Sequence, residues 1–178
     1  HQIALPEFGT LFVPGPYNHP REKAHVVAWA DDMLDRCTAR HLLSDETAAT
    51  LRGHLGRTQL LDRRQACLIH GNLSLEKVLV ERGATGYHVT GVRDFTHARG
   101  GSPEDDLGQL FGRRAAAVPS FQKGVLDGYA EAGEVPAKFW PRLALYQVLD
   151  CLESLLANPA REKACQARIV RYLSQGEL

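Results

Sequence analysis

No two cysteines of this sequence stand as CxxC, no HExxH is present, and no two of the eight histidines are spaced i, i+4. A zinc site of the common kinds is therefore not expected. Cys37, Cys67, Cys151 and Cys165 lie far apart, in or beside apolar runs. They read as reduced core thiols of a cytoplasmic protein. No apolar run approaches the roughly 20 residues that span a bilayer, so no membrane partner is expected. Neither sign of charge is in excess: Lys plus Arg and Asp plus Glu both number 21, giving a net charge of zero. That balance argues against a basic face for nucleic acid. Internal repeats, low-complexity tracts and a visible signal peptide are also absent. The chain does not begin with Met, and His1 is read as a tag remnant or a cut inside a longer chain.

What remains is ordinary globular material: 178 residues, 44% apolar and 24% charged, enough for one domain with a real core. Residues 1–22 hold Pro6, Pro14, Pro16 and Pro20, which bias their surroundings away from helix, and are read as linker and loop. Glu22 to Arg40 is expected to be an amphipathic helix, with Val26, Ala30, Met33 and Cys37 in one stripe. Ser44 is a suitable N-cap for a second helix to about Leu55, with Asp45 and Glu46 in its first turn. The period then changes. Ala66–Ile69, Val78–Glu81 and Tyr87–Arg93 read as short strands, the last two joined by a turn containing Gly83 and Gly86. Helices are expected again over Pro103–Ala117, Pro119–Ala132, Phe139–Ala157 and Pro159–Ser174. The apolar stripes of the first helix and of Phe139–Ala157 should pack together and bury Met33 and Leu149.

The centre of the chain carries the chemistry. His70-Gly71-Asn72 follows the first short strand, Lys77 precedes the hairpin, and Asp94-Phe95 closes it. A polar loop and an acid at the end of a hairpin form a phosphoryl-transfer arrangement. The loop addresses the acceptor hydroxyl and the later acid holds the metal that bridges the phosphates.

These blocks resemble the aminoglycoside-phosphotransferase and choline-kinase family, which carries H-G-D-x-x-x-x-N, then I-D-[FW], then G-D-P-x-x-D-L. His70, Gly71, Asp94, Phe95, Gly101, Pro103, Asp106 and Leu107 match. His1 and Pro6-Glu7-Phe8-Gly9 are similar to the stretch by which family members leave the nucleotide lobe. The resemblance implies a mostly helical α+β fold, the protein-kinase-like C-terminal lobe, with a small β-hairpin carrying the site-derived loop. Residues 1–22 would be a linker from a missing N-terminal lobe and residues 23–178 the helical lobe. It also implies His70 and Asp106 as structural supports of the loop and Asp94 as the metal acid.

The catalytic motif is degenerate. Asn72 stands at the catalytic Asp position, and an amide cannot accept the substrate proton; losing a general base costs about 10²- to 10⁴-fold. Lys77 stands at the second metal-ligand position and cannot ligate. Ser102 replaces another acid, and a Gly-rich phosphate loop and β-strand Lys are absent from the chain. Asn72 is read either as a turn cap or as an altered active-site position, Lys77 as a solvated charge or the ion-pair partner of Asp94. His97 and Arg99 are read as solvated loop residues or, in the alternative, as phosphate contacts. The expected function is a ligand- or partner-binding module that has lost phosphoryl transfer, its partner a small molecule, a protein or the missing lobe. No cofactor is expected for this chain alone. The alternative is a fragment of an active small-molecule phosphotransferase using magnesium and ATP or GTP.

Overall fold

Ser44 caps the second helix as its position suggests: its Oγ accepts a hydrogen bond from the Thr47 amide at 3.1 Å. The computed structural model describes residues 1–84, 86–112, 119–133 and 135–175. Its order is β1 (Ala4–Leu5), β2 (Gly9–Thr10), α1 (Glu22–Ala39), α2 (Asp45–Arg57), β3 (Ala66–Ile69), β4 (Val78–Gly83) and β5 (Gly86–Val92). Then come β6 (Arg99–Gly101), α3 (Pro103–Gly112), α4 (Pro119–Ala132), α5 (Phe139–Ala157) and α6 (Glu162–Gln175). The chain is thus mostly helical α+β. Residues 113–117, where the third expected helix was to end, lie outside the described residues. The last expected helix is divided: Pro159–Arg161 forms a 3₁₀ turn before α6.

Helices α1, α2, α5 and α6 surround the larger core, in which Leu34, Leu51, Leu145, Leu152 and Ile169 are fully enclosed. Met33 and Leu149 are 7% and 4% exposed, so the stripes of α1 and α5 do meet. A smaller core joins α3 to the start of α5 through Leu107, Phe111, Phe139 and Leu143. All four cysteines are buried and free. No described helix is long and apolar enough to cross a membrane.

The strands form two small sheets. The first is antiparallel, in the order β1-β3-β6-β2; the second is the β4–β5 hairpin. Strands β1 and β2 correct the reading of the proline-rich start as loop throughout, and β6 was not expected. Two- and three-residue strands are too short to show a period. Their pairing depends on a close approach instead: a side chain at Gly100 would come within 2.1 Å of the Glu7 carbonyl oxygen.

A buried ionic network ties these layers together. Arg142 of α5 donates to Glu22 of α1 at 2.6 and 3.1 Å and to Glu104 of α3 at 3.0 Å. The Tyr146 hydroxyl donates to Glu22 at 2.7 Å, and the Ser102 hydroxyl donates to the same oxygen. Burial opposes the Arg142 charge, but the bonds it donates to Glu22 and Glu104 outweigh it and hold its pKa above the ordinary arginine value. Ser102, where the resembling family has an acid, faces Glu22. A second carboxylate there would meet a like charge in a dry site.

Candidate functional site

The loop after β3 is held from below by the first turns of α3. The Asp106 carboxylate accepts the His70 amide at 2.7 Å and the Gly71 amide at 2.8 Å. Burial pushes its carboxyl upward, against the pull of those two amides. One turn on, Gln109 accepts the Leu73 amide at 2.9 Å and donates to the Gly71 carbonyl at 3.2 Å. Arg99 donates to the same carbonyl at 3.2 Å and to Asp105 at 2.9 Å. Arg99 is therefore a brace in β6 and not a solvated loop residue, whereas His97 is exposed. Gly71 takes φ +75°, and a side chain there would come within 2.1 Å of the His97 carbonyl oxygen. Only glycine meets both demands.

His70 closes the loop from the other side. Its Nδ1 accepts the Asn72 amide at 3.2 Å, so Nε2 carries the proton and donates to the Arg93 carbonyl at 3.0 Å. Its ring packs on Phe95 with centroids 4.8 Å apart. The histidine thus links the loop to the end of the hairpin.

Lys77 and Asp94 converge because of hairpin register. Val78 pairs with Val92, and the Arg93 amide donates to the Lys77 carbonyl at 3.0 Å, which places residues 77 and 94 at the same end. Asp94 then turns into the left-handed region, φ +66° and ψ +63°. Its Oδ2 lies 2.9 Å from Lys77 Nζ, and its Oδ1 accepts from Thr96 Oγ1 at 2.7 Å. The Lys77 side chain is 14% exposed and that of Asp94 44%. The two groups form a close ion pair. The Thr96 hydroxyl and then the Lys77 ammonium hold the Asp94 carboxyl down at about 2.

This donor set does not fit a magnesium ion. Of the oxygens that would serve, Asp94 Oδ1 takes a hydroxyl proton and Oδ2 faces an ammonium. Magnesium needs oxygen ligands in near-octahedral array, and Lys77 would repel it. Among the described residues there is no cluster of three His, Cys, Asp or Glu side chains arranged to hold a metal.

Two cavities share Arg99 and Glu153 in their walls. The more open one, about 490 Å³, is lined by Gly71, Asn72, His97, Arg99, Glu153 and Arg161, so Asn72 does border a polar cleft. The other, about 270 Å³, lies between α1, β6, α3 and α5 and does not include Asn72. Sequence reasoning missed this second cavity altogether. His25 and Trp29, which line it, lie on α1 and carry no motif.

No protein-family model matches the chain, and no curated protein matches it by sequence. Solved structures do match by shape. A provisionally named fructosamine-3-kinase from Thermobifida fusca YX-ER1 superposes with a TM-score of 0.70 at 20% identity, over 97% of this chain and 60% of that one. A macrolide 2'-phosphotransferase type I gives 0.60 at 19% identity, over 84% of this chain and 49% of that one. A second such fructosamine-3-kinase, from Haemophilus somnus 129PT, gives 0.59 at 17%, over 97% and 59%. The chain has the kinase-like phosphotransferase fold and spans about half to 60% of the length of these structures.

Proposed function

We propose that this chain is a phosphotransferase-fold domain that has lost phosphoryl transfer and serves as a binding module. One observation carries the reading: the Lys77 ammonium sits 2.9 Å from the Asp94 carboxylate, where the resembling enzymes converge on a metal. The cation site is filled by the chain's own charge. Asn72 removes the general base, while Asp106, Gln109, Arg99 and His70 keep the loop in place, so the frame persists without its chemistry. His70 and Asp106 act as supports, Asp94 as a former metal acid and Lys77 as its substitute cation. The test is a magnesium-dependent transfer assay with ATP and GTP against hydroxylated amines, sugars and macrolides. Turnover above about 1 s⁻¹, within the usual enzyme range, would overturn the proposal.

A second reading, the fragment of a working phosphotransferase, is favoured by one feature. Val80, Tyr87, Val89 and Val92 are exposed on the hairpin, and a lone two-stranded hairpin is marginal in water. A nucleotide lobe covering residues 78–92 would bury that surface. The same assay, run on the chain together with such a lobe, separates the two readings.

A further inference from the structure

The cavity that sequence reasoning missed differs in character from the cleft beside Asn72. Its walls are largely apolar and aromatic, from Phe8, Tyr17, Val26, Trp29, Tyr146 and Leu149. At about 270 Å³ it lies near the lower end of ligand-binding cavities. That suits one ring or two fused rings rather than an oligosaccharide.

Its polar wall groups are almost all committed within the protein. Asp105 is held by Arg99 at 2.9 Å and Gln109 at 3.0 Å, and the Tyr146 hydroxyl is spent on Glu22 at 2.7 Å. The Asn18 side chain donates to Glu7 and Thr10 and accepts the amides of Thr10 and Gly15, each at 2.9–3.0 Å. Asp150 lies 3.9 Å from Arg161, and Glu153 acts on the charge of Arg99. Arg99 and Arg161 thus lie near these carboxylates and offset their charge, so the wall calls less strongly for a cationic ligand.

His25 is the exception. Its Nδ1 lies 2.6 Å from the Tyr17 carbonyl oxygen, which can only accept, so the proton resides on Nδ1. Nε2 is then an acceptor with no partner among the described residues. Burial favours the neutral ring and lowers the His25 pKa.

We propose that this cavity binds an uncharged, flat molecule of one or two aromatic rings carrying a single N–H or O–H donor, which His25 Nε2 accepts while Trp29 and Tyr17 cover the ring. The inference deepens the binding-module reading by naming its ligand class, and it does not involve Asn72, Lys77 or Asp94.

The test titrates the whole chain with indole, 1-methylindole and tryptamine by calorimetry, following the two Trp side-chain N–H signals by NMR. Indole is expected to saturate and to shift the Trp29 signal while that of exposed Trp140 stays fixed. 1-Methylindole, in which a methyl group replaces the donor hydrogen, should bind at least about tenfold more weakly. His25→Phe should abolish that difference; Trp29→Ala, on a half-buried side chain, should weaken both. No saturation with indole, equal binding of indole and 1-methylindole by the native chain, or tighter binding of cationic tryptamine overturns the proposal. Any of these leaves the phosphoryl-transfer result untouched, so the two readings fail separately.

Discussion

Lys77 Nζ stands 2.9 Å from Asp94 Oδ2, at the point where the loop after β3 and the end of the β4–β5 hairpin come together. Both side chains are carried there by backbone features that do not depend on the charges: hairpin register for Lys77 and a left-handed turn for Asp94. Opposite charges brought into one place this way neutralise each other without a metal. Lys77 is largely covered but Asp94 is open to water, which limits what the pair adds to fold stability.

The Asp94 carboxyl should therefore report on Lys77. In Lys77→Met its pKa is expected to rise from about 2 toward the ordinary value of 3.8, stopping short because Thr96 still donates. Carboxyl-detected NMR titration measures this, and an unchanged pKa would mean the lysine does not act on it. The sign for folding follows from the depressed value. The contribution of Asp94 is fully present above its unfolded pKa near 3.8 and is lost as pH falls through about 2. The variant should lose part of that acid tolerance.

Asp106→Asn should loosen the loop. An amide offers one acceptor oxygen, whereas Asp106 now receives two backbone amides at 2.7 and 2.8 Å, so one N–H would face an NH₂ group. A loss of roughly 1–3 kcal/mol in urea unfolding is expected, with faster hydrogen exchange at His70 and Gly71. Unaltered exchange at these two amides would contradict the bracing role.

Gly71→Ala should destabilise by more than the roughly 1–3 kcal/mol of a strained backbone angle. Besides φ +75°, the new Cβ would meet the His97 carbonyl oxygen at 2.1 Å. Thermal unfolding checks it; a shift within error would mean that the turn relaxes freely.

Arg142→Ala should cost about 3–5 kcal/mol, because it leaves Glu22 buried without its cation and Glu104 with Arg63 alone. Ser102→Asp, which adds a carboxylate beside Glu22, should also destabilise, whereas Ser102→Ala should be milder. Chemical denaturation of the three variants ranks them, and a stable Ser102→Asp would contradict the like-charge argument.

The parts of this molecule legible in the sequence are those with local signals. The stripe Val26, Ala30, Met33 and Cys37 announces α1, Ser44 announces α2, and Gly83 with Gly86 announces the hairpin turn. The expectation that Lys77 and Asp94 meet came from the resemblance, in which a loop amide and the hairpin-end acid share one metal. What could not be read depends on tertiary contact. Strands β1, β2 and β6 exist only because they pair with one another and with β3. Glu22 and Arg142 look like surface charges on helices until the layers close over them. Arg99 reads as loop because its partners, Gly71 and Asp105, belong to different elements. His25 sits on a helix with no motif, and only the cavity gives it a role.

The most direct measurement of the central claim is a manganese titration, followed by electron paramagnetic resonance, of the native chain and the double variant Asn72→Asp/Lys77→Asn. Manganese serves as the visible substitute for magnesium. The ion pair predicts no saturable binding by the native chain up to millimolar metal, and saturable binding once the ammonium is removed and a carboxylate added. Submillimolar binding by the native chain, lost on Asp94→Asn, would show that Lys77 does not fill the cation site and would contradict the account.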